Sequence, residues 1–529
     1  MPWPARFMAS KPQRFVWARN LAVLLIAWEL AGRFALVASG ALPAPSAILV
    51  RLWADWSDYP PHVMATLQAS FLGFVIGNAV AIVAGAAFVL SPMLLRLFRG
   101  VNIAVFALPP IAISPVLVLT FSGMTPRVIL AALGCYFATM TATVLGLSQA
   151  DQRSMDVVRA YGGSRWDALR LVQWRSALPS VLGGFRVAAP AAVLGAILAE
   201  FGGGGRFGLG TYLLGSLGRG EPARLWGIGL MATLIAGLAY AAFAVIGARV
   251  TGTARAVTMP AAAPAAPPAG GGAARRILMV LATALLPLAL WWLLLAWLAV
   301  PEMIAKTPLG VAQYLFTSPA SPEAQARLLA ALRETVPITL LGLSAGLAFA
   351  FLLAVMSDAM PALTRSLMPV ALVTQTMPLV ALTPLLVLML GRGTGLTLWV
   401  TISVTFFPAF VTIAQGMLMV PRAALDLPRA YGASRWQTLL LVAIPASLPY
   451  LFAAARLAAP RALLGVMIAE WLATGKGLGN LLNQSRGYLD YGMIWTVAAV
   501  SVLIAVAFHQ CVVLIERWAL PRLGMKTTE

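Results

Sequence analysis

"DVVRAYGGSRW", residues 156–166, returns with few changes as "DLPRAYGASRW" at 426–436. Each copy follows one long apolar run and precedes another. A basic, glycine-centred segment written twice, 270 residues apart, points to an internal duplication. Working outward from it, the copies keep matching. Thr66, Gly73, Gly77, Pro109 and Pro115 correspond at one offset to Thr335, Gly342, Gly346, Pro378 and Pro384. After a slip of one residue, Tyr161, Gly162, Ser164, Arg165, Trp166, Leu178, Pro179, Arg186, Pro190, Gly195 and Glu200 correspond to Tyr431, Gly432, Ser434, Arg435, Trp436, Leu448, Pro449, Arg456, Pro460, Gly465 and Glu470. About half of the positions from 160 to 200 equal their partners, more than shared hydrophobicity produces.

The runs between these landmarks set the environment. The chain of 529 residues is 60% hydrophobic and only 10% charged, with a mean hydropathy of +0.88. Soluble chains carry about a quarter charged residues. Apolar runs of roughly 20 residues, the length that crosses a bilayer as helix, recur throughout. The fold class is therefore an all-α polytopic membrane protein of about 12 spans. They are expected near 18–39, 64–90, 100–121, 127–149, 177–200 and 224–249, and near 278–300, 334–357, 367–390, 396–420, 446–470 and 490–516. "TMPAAAPAAPPAGGGAARR" (258–276) cannot pack or span and reads as a linker. The division is a first repeat at 1–252, a linker at 253–276 and a second repeat at 277–529. Six spans per repeat is an even number, so the two repeats are parallel. Their pseudo-twofold axis runs along the membrane normal, with a pathway at the repeat interface.

The net charge of +20 comes from 37 Lys and Arg against 17 Asp and Glu. The basic residues collect in short loops, which reads as the positive-inside rule and not as nucleic-acid binding. Arg96, Arg99, Arg153, Arg159, Arg165, Arg170, Arg175, Arg517, Arg522 and Lys526 fall on one side with the N-terminus. Both termini are thus expected on the cytoplasmic side of a membrane that the chain crosses many times. Small residues at "VASGA" (37–41) leave a cleaved signal peptide as one reading of the first apolar run; an uncleaved span is preferred, because the run is long and a matching run opens the second half. Cys135 and Cys511 lie inside apolar runs, and His62 and His509 stand alone, so neither disulfide nor metal site is implied.

The duplicated segments at about 150–176 and 420–446 have a local logic. "DQRSMDVVRAY" suits a short helix, and Gly162 suits the left-handed position that ends one. Ser164 with Asp167, and Ser434 with Gln437, match the capping box that starts the next helix. Pro179 and Pro449 are expected to mark a turn into the fifth span of each repeat.

These loops resemble the cytoplasmic loop of ABC importer permeases, the binding-protein-dependent inner-membrane components. That loop reads roughly E-A-A, three residues, glycine, and later proline, and Gly162 with Pro179 and Gly432 with Pro449 fit it. "LPSVLGGFRVAAPAAVLGAILAEFGGGGRFGLG" and "LPYLFAAARLAAPRALLGVMIAEWLATGKGLGN" are most similar to the nitrate/sulfonate/taurine branch, as is "LPAPSAILV" (42–50). The E-A-A triplet is replaced by Asp156-Val157-Val158 and Asp426-Leu427-Pro428, and Pro428 is unusual within a short helix. The resemblance implies a type I ABC importer permease fold with two permease units fused in one chain. It implies coupling helices that dock on two copies of a cytoplasmic ATPase, and an extracytoplasmic substrate-binding protein that delivers a small solute. The ATPase-coupling residues it singles out are Asp156, Arg159, Ala160, Tyr161, Gly162, Ser164 and Arg165, and Asp426, Arg429, Ala430, Tyr431, Gly432, Ser434 and Arg435. No cofactor is implied. The chain has no P-loop of its own: "TGKGLG" (474–479) lacks the upstream glycine and the Ser/Thr after lysine. A secondary transporter with parallel six-span repeats is the rival reading. A membrane enzyme would need clustered His, Asp or Glu, and a channel does not account for paired elbows.

Ionisable residues within spans suggest function. Arg186, Glu200, Arg456 and Glu470, with Pro115 and Pro384, are candidates for a pathway or gate. Pro109, Pro115, Pro378 and Pro384 interrupt the third and ninth spans, either as broken helices lining a pathway or as packing kinks. One reading has Arg186 and Arg456 facing each other across the pseudo-axis and attracting anions; the other has them fixing helix packing. Arg461 has no basic counterpart at Ala191. Gly73/Gly77 and Gly342/Gly346 are G-x-x-x-G pairs expected to pack helices closely.

Overall fold

The computed structural model describes residues 11–203, 205–251, 273–359 and 379–525. Most of the expected linker (252–272) and the first half of the ninth span (to 378) lie outside them. Among the described residues every regular element is helical. The first half contains α1 (Lys11–Arg33), α2 (Pro45–Ala54), α3 (Tyr59–Leu90), α4 (Pro92–Leu97), α5 (Arg99–Ala107), α6 (Pro110–Thr120), α7 (Thr125–Ser148), α8 (Gln152–Ala160), α9 (Arg165–Phe201), α10 (Leu209–Leu217) and α11 (Pro222–Thr251). The second half contains α12 (Ala273–Leu298), α13 (Pro308–Phe316), α14 (Ser321–Ala359), α15 (Leu379–Leu390), α16 (Thr394–Leu418), α17 (Arg422–Ala430), α18 (Arg435–Thr474), α19 (Gly477–Gly487) and α20 (Tyr491–Arg522). Among the described residues nine helices are long and apolar enough to span a membrane, or ten if α5 and α6 form one broken span. α1 and α15 lie at the first and ninth expected spans.

The third span is broken, as its prolines suggest, but at one place only: α5 and α6 meet at 95°. Leu108 is extended, as the residue before a proline prefers, and Pro109 supplies no N–H to continue the ladder. Pro115 does not interrupt; it sits buried inside α6. The turns expected at Pro179 and Pro449 are also absent, because both prolines lie within continuous helices. Each costs one backbone hydrogen bond, but the face beside Pro179 is committed to packing: Ala177 and Val181 share a buried cluster with Leu147 of α7. The turn toward the membrane is made earlier, by wide i→i+5 turns at Leu169–Gln173 and Leu439–Ala443.

Each half packs the same four helices together: α3, α7, α9 and α11 in the first, α14, α16, α18 and α20 in the second. Small residues set the distance, as close packing in lipid requires. A Cβ on Gly77 would lie 2.5 Å from the Ala132 carbonyl oxygen, and one on Gly195 would meet the Leu130 backbone. The halves then join reciprocally. α11 packs on α15, and α20 packs on α5 and α6, so each sixth span rests against the other half's third. This is the contact pattern of a twofold interface, here within one chain. A core cluster crosses it, containing Val193, Ile197 and Phe201 of α9 and Leu463, Met467 and Trp471 of α18.

Candidate functional site

The duplicated elbows take the same shape twice. α8 begins at Asp151, whose carboxylate accepts from the Ser154 N–H (3.1 Å) and the Ser154 hydroxyl (2.9 Å). These bonds hold its pKa below the ordinary carboxylate value. α17 begins at Pro421 with no such cap. Both helices end alike. Gly162 and Gly432 are left-handed, with φ of +78° and +82°. Gly163 N–H donates to Val158 C=O (2.9 Å), and Ala433 N–H donates to Pro428 C=O (3.0 Å). These are the long bonds of a glycine-terminated helix. Pro428 therefore removes one donor from α17 but keeps the carbonyl that closes the elbow. Ser164 and Asp167, and Ser434 and Gln437, form complete capping boxes; the Ser164 and Ser434 N–H groups each donate over 2.7 Å.

All of the coupling-loop residues named from sequence are exposed: Asp156, Arg159, Ala160, Tyr161, Gly162, Ser164, Arg165, and Asp426, Arg429, Ala430, Tyr431, Gly432, Ser434, Arg435. Residues 153–170 and 423–440 have the same burial pattern position by position. The exposed surface includes large aromatics: Tyr161 is 89% and Tyr431 87% exposed, and Trp166 and Trp436 are exposed as well. The Asp156–Arg159 and Asp426–Arg429 pairs are exposed and contribute little to stability.

At the far ends of α9 and α18 lie two further matched constructions. The Glu200 side chain is buried and accepts from the Thr66 hydroxyl (2.7 Å) and the Gly210 N–H (2.7 Å), while Thr66 Oγ1 accepts from the Leu209 N–H (2.9 Å). In the second half Glu470 accepts from Thr335 (2.7 Å) and the Gly479 N–H (2.9 Å), and Thr335 accepts from the Leu478 N–H (2.8 Å). A carboxylate at the end of the fifth span thus caps the N-terminus of the short helix α10 or α19. A Cβ at Gly208 or Gly477 would collide with that carboxylate. In "TGKGLG", Gly477 makes room for the Glu470 carboxyl group and the Gly479 N–H donates to it, at a helix start of the kind that elsewhere holds phosphate. Arg127 approaches Glu200 at 4.0 Å, and the position one offset away is Leu396.

The other pathway candidates are placed differently from the facing arrangement. Arg186 stacks on the Tyr240 ring of α11, 4.3 Å from its centroid. Arg456 forms an ion pair with Glu516 of α20, and the His509 Nδ1 lies 3.1 Å from the Arg456 carbonyl oxygen. Each arginine therefore turns to the sixth span of its own half and not to its counterpart. Pro115 lies beside Ser114, which donates to the Leu198 carbonyl (3.2 Å) and fixes α6 on α9. Pro384 lies within α15. Glu29 accepts from the Ser46 hydroxyl (2.6 Å) and ties α1 to α2.

Sequence reasoning aligned Thr66 with Thr335 but gave them no role. Their shared offset with the glycine–leucine–glycine triplets carried the signal. It missed a third cluster altogether. Asp55, after α2, accepts from Arg224 of α11 at 2.6 and 2.7 Å, and Arg51 bridges to Glu221 at 2.7 Å. In the second half Asp490 accepts from Tyr314 (3.0 Å) and Arg327 (3.4 Å). Both clusters anchor the helix that follows the first span to the start of the sixth.

Comparison with known proteins matches this doubled architecture. The family profile described as "Binding-protein-dependent transport system inner membrane component" matches residues 77–253 and again 342–524. A Haemophilus influenzae protein named as an ABC transporter permease is 28% identical over 239 residues, covering 44% of this chain and 92% of that protein. The riboflavin transport system permease protein of Chloroflexus aurantiacus is 33% identical over 155 residues, 29% of this chain and 58% of that protein. A Bacillus subtilis protein named for aliphatic sulfonates transport is 24% identical over 205 residues, 37% of this chain and 74% of that protein.

Proposed function

Because the chain belongs to the binding-protein-dependent transport system inner membrane components, we propose that it supplies both halves of one ATP-driven import pathway. The single observation that carries this reading is the pair of matched elbows with exposed Tyr161 and Trp166, and Tyr431 and Trp436. Exposed aromatic clusters mark docking surfaces. A dimeric ATPase offers two docking sites, and one fused chain here offers two elbows of the same shape, entered by helices that start differently. α9 and α18 run from these elbows to the Glu200 and Glu470 clamps at the other end. Movement at the ATPase is thus passed along continuous helices of 37 and 40 residues to the opposite membrane face.

In this reading the elbows and both termini face the cytoplasm, following the arginine distribution. ATP hydrolysis comes from two ATPase subunits, and a substrate-binding protein delivers solute near α10 and α19. The repeats are residues 1–252 and 277–529, joined by the linker at 253–276. The solute is a small organic compound or anion of the nitrate, sulfonate or taurine kind.

The test is purification of the tagged chain from its own membranes, followed by reconstitution into liposomes. Retention of an ATPase at two copies per chain, and uptake that requires ATP and a binding protein, are the expected results. Uptake driven by an ion gradient with no ATPase present overturns the reading.

A further inference from the structure

Among the described residues, one arginine in the membrane interior has no partner. Arg461 lies in α18, nine residues before Glu470 and therefore ~14 Å below the clamp. Among the described residues it has no carboxylate, hydrogen-bond acceptor or aromatic ring. The other membrane arginines of this region are engaged: Arg186 by Tyr240 and Arg456 by Glu516.

Its surroundings show where it points. From Ala458 to Trp471 every residue is buried except Arg461 and Leu464, one helical turn apart. A helix so covered does not face lipid along this stretch, so the accessible strip opens on space inside the protein. The other half repeats the arrangement. From Ala191 to Phe201 only Ala191 and Leu194, the counterparts of Arg461 and Leu464, are not buried. Leu194 and Leu464 both pack against the core cluster that joins the two halves. Two accessible strips related by the pseudo-twofold thus border the repeat interface. One strip is purely apolar, and the other carries a permanent positive charge.

The structure assigns Arg461, we propose, as an anion-binding subsite in this space, taking a small solute that bears a sulfonate, carboxylate or phosphate group. The assignment rests on the importer reading and narrows its substrate class. Guanidinium stays charged in any protein environment and presents a planar fork of donors that matches such groups. An unpaired charge within the membrane is expensive and marks a solute route when it lines an accessible space. Leu194 and Leu464, which pack against the cluster joining the halves, offer an apolar surface for the remainder of the solute.

The experiment uses the chain with its ATPase partner in lipid nanodiscs. Cys511 is replaced by Ser, Cys135 stays buried, and a single reporter is introduced as Leu464→Cys. A membrane-impermeant thiol reagent should label it. Ethanesulfonate should slow that labelling, while the neutral ethyl methyl sulfone should not. Adding Arg461→Gln should raise the protecting concentration of ethanesulfonate about tenfold to a hundredfold, and Arg461→Lys should raise it less. Thermal unfolding of each variant without probe separates misfolding from lost binding. Equal protection by the sulfone, or unchanged protection with Arg461→Gln, overturns the subsite. No labelling in a complex that still transports overturns the accessible space. Neither result touches the importer reading, which fails only if wild-type uptake needs no ATPase.

Discussion

Thr66 donates its hydroxyl proton to Glu200 over 2.7 Å while accepting the Leu209 N–H at 2.9 Å, so one hydroxyl joins the second span, the fifth span and the outer helix. Thr335 does the same for Glu470 and Leu478. Neither carboxylate is left open to a pathway; each is consumed by its clamp.

Thr66→Val keeps the shape of the side chain and removes both bonds. It leaves the Leu209 N–H unpaired and strips Glu200 of one donor. An unmade buried hydrogen bond costs ~1–3 kcal/mol. Thermal unfolding in detergent should show a clear loss for Thr66→Val and near wild-type behaviour for Thr66→Ser. Equal stability of the two variants would sink the clamp interpretation.

The elbow glycines allow a test of backbone conformation without packing. A Cβ at Gly162 or Gly432 would meet nothing within 4 Å, so any cost comes from the left-handed φ alone. That cost is ~1–2 kcal/mol for an ordinary L-residue. It is smaller for Asn and larger for β-branched side chains. Gly162→Val should reduce ATP-driven uptake several-fold while ATP hydrolysis persists, and Gly162→Asn should retain coupling. Coupled uptake by Gly162→Val at wild-type rate removes the elbow from the mechanism.

How far the sequence carried depended on how local the physics is. The elbows were legible because capping boxes and left-handed glycines are settled within a few residues, and Ser164–Asp167 and Ser434–Gln437 formed as expected. The break at Pro109 was legible for the same reason, although not its 95° angle. Pro179 misled, because packing on α7 outweighs one lost bond. Arg186 and Arg456 were seen as membrane charges, but what each touches depends on the rotation of helices far apart in sequence. Glu516 is 60 residues from Arg456, and no spacing rule connects them.

The pH dependence of stability has a definite sign at Asp55. The hydrogen bond from Arg224 is the largest cause holding its pKa below 3.8, with burial acting the other way. A carboxylate with a depressed folded pKa contributes stability that is complete above its unfolded value and is lost as pH falls through the folded one. The wild-type protein should therefore lose thermal stability below about pH 4. Asp55→Asn should be less stable at neutral pH and show a flatter decline across that range. A wild-type profile parallel to that of Asp55→Asn means the Asp55–Arg224 pair is not the acid-sensitive element.

The Arg456–Glu516 pair distinguishes packing from solute attraction. Its side chains are 13% and 4% exposed, so removing the Glu516 carboxylate leaves the Arg456 guanidinium buried without this counter-charge. Breaking such a pair costs ~3–5 kcal/mol, whereas replacing both charges is far milder. Arg456→Gln and Glu516→Gln should each lower folded yield and melting temperature sharply. The double variant should recover most of both, a coupling readable as a double-mutant cycle. Anion preference in uptake should be the same in the double variant as in the wild type, because the charge that meets the solute is carried by Arg461. A selective loss of anion uptake in that recovered double variant would return Arg456 to the pathway.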